Sequence, residues 1–216
     1  MEKDIAIMIA DLSGYTAHTE VHGPISSADL IDKYLQIVEK SLLQDCYLHE
    51  RSGDEVMIVS EVPDHLLSTA VLLLKNSSRE NNFLLLHGGL HFGKVLKRNN
   101  AYFGSALNFT ARIATKADAG SLWCSKEFRD TIKNEECYQF QSRGSHKFKN
   151  ITEEKEVFEI ITDKVGFLAI DPVCRMLILS GDNAVRHPHS DIFFCSETCL
   201  NIYNDTIKDE KVNSTD

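Results

Sequence analysis

Short apolar runs and helically spaced apolar positions interleave over the first 163 residues. The continuous runs, typical of buried strands, are residues 5–10, 56–59, 83–91, 122–124 and 157–161. The helical spacing covers residues 26–42, 64–75, 106–116 and 127–132. Ser26 is the expected N-cap of the first helix. This interleaving predicts an α/β or α+β sheet with helices packed on it.

The end of the chain follows a different pattern. We expect a first domain over residues 1–163, a second small module over residues 169–204, and a polar, disordered tail over residues 205–216. The chain has 216 residues and a net charge of −9, which excludes a nonspecific nucleic-acid binder. No apolar run is long enough for a membrane span, and no signal-peptide profile is visible, so we expect a cytoplasmic protein without membrane contact.

Six cysteines fall into two groups. Cys46, Cys124 and Cys137 are scattered, and we expect them to be buried as small apolar residues. The other three, Cys174, Cys195 and Cys199, lie close together in the last quarter of the chain.

Two aspartates stand at the ends of predicted buried strands. Asp11 follows the first strand, and Asp54 follows the Ser52-Gly53 turn of a predicted hairpin. If these strands are neighbours, the carboxylates converge beside the Ser13-Gly14 loop and could hold Mg²⁺ carrying phosphates. The alternative is that both aspartates only cap turns.

Six motifs then resemble, in the same order, those of the class III nucleotidyl cyclase catalytic domain. They are residues 10–16, 52–55, 87–93, 102–112, 117–125 and 147–150. The resemblance implies a ferredoxin-like α+β fold with a mainly antiparallel sheet. It also implies a homodimer with composite active sites that converts ATP or GTP to a 3′,5′-cyclic nucleotide and pyrophosphate.

The resemblance also assigns roles by position. Asp11, Asp54 and the Leu12 carbonyl would hold two Mg²⁺ or Mn²⁺ ions, and the catalytic residues would be Asn108 and Arg112, four apart on one helix. The expected nucleotide-binding residues are Ser13, Gly14, Tyr15, Thr16, Glu50, Ala101 and Lys149, with Lys147 as an alternative to Lys149.

The base-selecting positions leave the purine open. Glu50 stands where adenylyl cyclases have lysine and guanylyl cyclases have a carboxylate, and a carboxylate can accept hydrogen bonds from guanine. Ala101 matches neither pattern. Glu50 therefore favours GTP, whereas the frequency of adenylyl cyclases among bacterial-type relatives favours ATP.

Residues 171–176 and 192–199 resemble the YHS domain, a small module linked to metal binding. Cys174, Cys195 and Cys199 could bind Zn²⁺ or Cu⁺ there. A fourth ligand would have to be His187, His189 or a group from outside the module. Arg175 stands where that family usually has glycine, and a metal-free fold is the alternative.

The sequence thus predicts a purine nucleotidyl cyclase for intracellular signalling. One alternative is a noncatalytic nucleotide or metal sensor that keeps the cyclase fold. A third is a metal-responsive C-terminal module with the cyclase as its output.

Overall fold

The computed structural model describes residues 2–133, 138–162, 169–179 and 184–213, with side chains described as far as residue 207. Within these ranges the first domain has strands β1 (Glu2–Ser13), β2 (Tyr47–Ser52), β3 (Glu55–Ser60), β4 (Leu85–Arg98), β5 (Ala101–Phe103), β6 (Leu122–Ser125), β7 (Gln139–His146) and β8 (Lys155–Ile161). Its helices are α1 (Tyr15–Ser41), α2 (Pro63–Ser77), α3 (Ser105–Lys116) and α4 (Lys126–Arg129).

The strands form one eight-stranded sheet in the order β2-β3-β1-β4-β6-β8-β7, with β5 paired to β4. Among the strand pairs that the structure describes in this sheet, only β4–β6 is parallel. Strand β1 is central and pairs antiparallel with both β3 and β4. This mainly antiparallel sheet with packed helices confirms the predicted α+β fold class.

Strand β1 separates two cores because its side chains alternate between the faces of the sheet. Ala6, Met8, Ala10 and Leu12 pack on one side with residues of α1 and α2. Ile5, Ile7 and Ile9 pack on the other side with residues of α3. Asp11 follows Ile9 by two positions and therefore lies on the same side of the sheet as Ile5, Ile7 and Ile9.

Helix α3 lies directly on the sheet at Gly89. A Cβ atom there would be 2.4 Å from the Ala114 nitrogen and 2.6 Å from the Thr110 carbonyl oxygen. Glycine at this position therefore allows the backbones of β4 and α3 to approach closely. Any larger residue would push α3 outward, and α3 is the helix that carries Asn108 and Arg112.

The start of the first helix differs from the prediction. Helix α1 begins at Tyr15 rather than at Ser26, and Gly23 interrupts it with φ 77° and ψ 176°, just before Pro24. Gly and Pro at this kink separate the two segments, and the apolar pattern detected only the second one. Residues 15–22 form the first segment.

The C-terminal segment contains the two-residue strands β9 (Ala169–Ile170), β10 (Leu177–Ile178), β11 (Val185–Arg186) and β12 (Phe193–Phe194), followed by helix α5 (Glu197–Asn213). The strands pair as two small antiparallel ladders. Helix α5 continues to Asn213, into the stretch that the sequence predicts as a polar, disordered tail. The segment from Glu197 to Asn213 contains neither glycine nor proline to end the helix.

The C-terminal segment is anchored on the first domain. The Leu177 N–H donates to the Phe83 carbonyl at 2.6 Å, and the Asn82 N–H donates to the Leu177 carbonyl at 2.9 Å. Its own small core contains Cys174, Phe194 and Cys199. Whether it is a YHS domain stays a prediction.

Two of the scattered cysteines are buried as predicted, Cys46 and Cys124; Cys137 lies outside the described residues. Among the described helices, none combines the length and apolar character that crossing a membrane requires.

Candidate active site

The β1–β3 pairing brings the two predicted aspartates together. Ala10 lies opposite Val56 in this antiparallel ladder, so Asp11 at the end of β1 lies next to the turn that holds Asp54. Burial, a hydrogen bond with Asp11 and the charge of Asp11 raise the pKa of Asp54 to about 7. Neighbouring carboxylates of this kind are typical oxygen ligands of Mg²⁺ and Mn²⁺.

The Asp11 carboxylate has an unsatisfied acceptor. Its Oδ1 is buried and has no hydrogen-bond partner within the described residues, an arrangement that costs free energy unless a ligand compensates it. Tyr34 reaches the same region: burial and then the charges of Asp11 and Asp54 raise the pKa of its hydroxyl. The oxygen donors of Asp11, Asp54 and the Leu12 carbonyl are those that Mg²⁺ and Mn²⁺ prefer, so these residues fit the implied ions.

An uncapped helix start lies beside the carboxylates. Gly14, at the N-cap of α1 with φ 92°, provides no side-chain cap, and the first turn of α1 has no acidic residue. The N–H groups of Tyr15 and Thr16 at this end therefore suit an anion such as a phosphate. Ser13 is held by His87, with 2.9 Å between Oγ and Nδ1.

A β-bulge sets the side of the sheet on which Glu50 lies. The β2–β3 register shifts between Leu48 and Glu50, so Glu50 lies opposite Met57 rather than Val56. Met57 belongs to the α3 face of the sheet, and residues directly opposite in a ladder share a face. The bulge therefore places Glu50 on the same face as Asp11. The pKa of Glu55 is raised by burial and, to a smaller extent, by the charges of Asp11 and Glu50.

Asn108 and Arg112 lie on α3, away from the surface that packs on the sheet. The buried residues of α3 are Ala106, Phe109, Thr110, Ile113 and Ala114, whereas Asn108 is exposed and Arg112 is half-buried. Neither has a hydrogen-bond or ion-pair partner among the residues that the structure describes. Their side chains are available to a second molecule.

The remaining predicted nucleotide-binding residues lie apart from the carboxylates. Ala101 is half-buried in β5, and Lys149 is exposed between β7 and β8. Lys147 is exposed as well. Phe148, between the two lysines, is buried and packs edge-on against Phe109, with ring centroids 5.2 Å apart. One chain thus holds the carboxylates and the helix start together, but the structure does not bring Asn108, Arg112 or Lys149 to them.

Three residues of this site were missed in the sequence: Tyr34, Glu55 and His87. His87 lies opposite Asp11 in the β1–β4 ladder, and Glu55 follows Asp54 directly. The pairing of the three strands would have identified both. Tyr34 is a fully buried helix residue. Nothing in the sequence distinguishes it from an ordinary aromatic residue of the core.

A second donor cluster lies between the C-terminal segment and α1. Cys174, Cys195 and Cys199 converge there with His22, and their donor atoms all lie within 4.8 Å of one another. Of the three alternatives for a fourth ligand, the group from outside the module is the one found near the cysteines, since His22 belongs to α1, whereas His187 hydrogen-bonds Ser190 and Asn204. The first helical segment, which the apolar pattern did not detect, carries the histidine that does converge.

Comparisons with known proteins find similar sequences and structures. A sequence model of the adenylate and guanylate cyclase catalytic domain matches residues 1–162. An uncharacterized protein of Mycobacterium tuberculosis is 33% identical over 127 residues, covering 58% of this chain and 34% of that protein. A pH-sensitive adenylate cyclase of the same species is 23% identical over 161 residues, covering 73% of this chain and 41% of that protein.

Solved structures show the same fold. The adenylyl cyclase CyaB from P. aeruginosa superposes with a TM-score of 0.65 at 15% identity, covering 76% of this chain and 96% of that chain. The guanylate cyclase domain of RhGC from Catenaria anguillulae, in complex with GTP, gives 0.62 at 18% identity, covering 76% and 100%. The chain spans only 34% and 41% of the length of the two curated relatives.

Proposed function

The chain belongs to the adenylate and guanylate cyclase catalytic domain family, and on that premise we propose that it is an active purine nucleotidyl cyclase. It would convert ATP or GTP to the 3′,5′-cyclic nucleotide and pyrophosphate in intracellular signalling. The observation that carries the proposal is the convergence of Asp11 and Asp54, with a buried unpaired oxygen, beside an uncapped helix start.

Each group of the site would have a role in this reaction. Asp11, Asp54 and the Leu12 carbonyl would hold two Mg²⁺ or Mn²⁺ ions, which when bound neutralise triphosphate charge and acidify the ribose 3′-hydroxyl. The N–H groups at the start of α1 would bind phosphate oxygens. His87 positions the Ser13 side chain in this loop through their hydrogen bond.

The other half of the site would come from a second copy of the chain. Asn108 of the partner subunit would orient the ribose, and Arg112 of the partner subunit would stabilise charge on the reacting phosphate. Both lack partners among the described residues of their own chain. Leu96 and Phe103, opposite each other in the β4–β5 ladder, are 41% and 52% exposed, as expected for side chains buried in a dimer.

The direct test is to incubate the purified chain with ATP and with GTP, in Mg²⁺ and in Mn²⁺, and to identify the products by mass spectrometry. We expect one cyclic purine nucleotide and an equal amount of pyrophosphate. If neither triphosphate is consumed while a nonhydrolysable analogue still binds, the noncatalytic sensor is the correct interpretation.

Glu50 is the residue that we expect to select the base. Glu50→Lys should shift the ratio of ATP to GTP turnover toward ATP by about 10–100-fold, since a hydrogen-bonding group that the bound base covers and leaves unpaired costs about 1–3 kcal/mol. Glu39→Lys, on the exposed side of α1, makes the same change of charge and should leave the ratio unaltered. Equal ratios in both variants would remove Glu50 from base recognition.

A further inference from the structure

We propose that His22, Cys174, Cys195 and Cys199 form a binding site for a tetrahedrally coordinated thiophilic cation, with Zn²⁺ as the best match, that fastens the C-terminal segment to helix α1. The site joins two parts of the chain that the sequence separates, since His22 and Cys195 are 173 positions apart. The proposal does not depend on cyclase activity.

Four of the six distances between donor atoms are close to those of a tetrahedral site, and all six are within 4.8 Å. The Sγ atom of Cys195 lies 3.4 Å from that of Cys174 and 3.6 Å from that of Cys199. The Nε2 atom of His22 lies 3.7 Å from the Cys195 sulfur and 3.8 Å from the Cys199 sulfur. Ligands around Zn²⁺ are separated by about 3.5–3.8 Å when Zn–S is about 2.3 Å and Zn–N about 2.0–2.1 Å.

The residues around the donors hold them in place. The Asp171 carboxylate is fully buried and accepts hydrogen bonds from the N–H groups of Cys174 at 3.2 Å and Cys195 at 2.7 Å. It thereby fixes the two loops that carry these cysteines relative to each other. Outer contacts of this kind orient ligands in metal sites.

The histidine is positioned by its own helix. His22 stacks on His18, with ring centroids 4.9 Å apart, and His18 is buried against the Ser27 hydroxyl at 3.3 Å. Gly23 then interrupts the helix directly after His22. His22 therefore lies at the end of the short first segment of α1, whose N-cap is Gly14.

The site also holds the C-terminal segment against the start of α1. Arg175 follows the ligand Cys174, and its Cβ and Cγ atoms lie 2.5 and 2.7 Å from the position that a Cβ on Gly14 would take. Only glycine leaves room there. Arg175 itself has φ 68°, a backbone conformation that glycine adopts more readily than other residues. The C-terminal segment thus contacts the first segment of α1 at two places, through the cysteines at His22 and through Arg175 at Gly14. A bound cation would therefore restrain the loop of Ser13 and Gly14.

The test measures zinc in the full-length chain, purified under reducing conditions. We expect one Zn²⁺ per chain, and a visible spectrum of tetrahedral cobalt thiolate when Co²⁺ replaces it. His22→Ala should weaken zinc binding by more than about 10²-fold, since losing even an outer partner costs about 10–100-fold. His22→Cys should restore binding with the altered cobalt spectrum of four sulfur ligands.

A matched control lies in the same segment. His189→Ala removes an exposed histidine that was a candidate ligand from the sequence alone, and it should leave zinc affinity and spectrum unchanged. Equal zinc affinity in wild type and His22→Ala would overturn the proposal. So would a purified chain that contains no metal and whose mass is lower by two hydrogens, which indicates a disulfide.

The restraint on α1 has a separate measurement. Removing zinc by chelation should raise amide hydrogen exchange at residues 13–18 and 171–177 of the wild type, without raising it in β7 and β8. In His22→Ala the exchange should already be high and insensitive to the chelator. Unchanged exchange at residues 13–18 in the zinc-free wild type would show that the cation does not restrain this loop.

Discussion

The Asp54→Asn variant should lose cyclic-nucleotide formation by about 10²–10³-fold or more while becoming more resistant to heat in metal-free buffer. The loss follows because a metal-binding carboxylate is removed. The gain follows because the same carboxylate is partly buried beside Asp11, which raises its pKa to about 7. Activity and thermal unfolding, measured on one preparation, give both results.

The stability effect has a defined dependence on pH. Because the pKa of Asp54 is higher in the folded chain than in the unfolded chain, the folded state retains a proton between about pH 4 and pH 7 that the unfolded state has lost. The free energy of unfolding of the metal-free wild type should therefore fall as pH rises through this window. In Asp54→Asn this part of the decline should disappear, and Mg²⁺ or Mn²⁺ should stabilise the wild type more than the variant.

Asp45→Asn is the matched control. Burial raises the pKa of Asp45, but hydrogen bonds from His65, Ser60 and the Glu61 N–H outweigh it and hold the pKa below its usual value. That variant should lose stability above the normal aspartate pKa and keep its activity. If Asp54→Asn behaved like Asp45→Asn, Asp54 would be a structural turn residue.

Mixing two inactive variants should restore activity if the sites are composite. Asp54→Ala and Arg112→Ala each inactivate both sites of their own homodimer. A heterodimer contains one site with both residues intact, so random exchange of subunits should give about a quarter of wild-type turnover. The measurement is product formation after the two purified variants are mixed, unfolded and refolded together, compared with each variant treated alone.

The control for this experiment is a mixture of Asp54→Ala with Asp11→Ala. Because both aspartates lie in the same half-site, every site in that heterodimer lacks one of them, and no recovery is expected. Recovery in both mixtures would point to an artefact of refolding. Recovery in neither would mean that Arg112 acts within its own chain.

The sequence was sufficient for the parts of this protein that depend on local pattern. Apolar runs identified β1, β3, β4, β6 and β8. The turn before Asp54 and the end of the first apolar run before Asp11 identified the carboxylate pair. Their convergence required β1 and β3 to be neighbours, which was stated only as a condition. The structure meets that condition through the ladder that places Ala10 opposite Val56.

The parts that the sequence did not reveal depend on tertiary register. The bulge that turns Glu50 toward the α3 face shifts the ladder by one residue, and side-chain alternation alone would have placed Glu50 on the other face. His22 was missed for a related reason. It lies on a short polar segment before Gly23, where no apolar periodicity marks a helix, and its cysteine partners are more than 150 positions away.

The distance in sequence between His22 and Cys195 has a consequence for the unfolded chain. Bringing donors 173 positions apart together in a disordered chain costs about 5 kcal/mol of loop-closure entropy. An unfolded chain would therefore bind the cation far more weakly than the folded one. Free zinc at about 100 times its dissociation constant would add about 2.7 kcal/mol to the free energy of unfolding. The zinc supply would then set how much of this chain survives proteolysis.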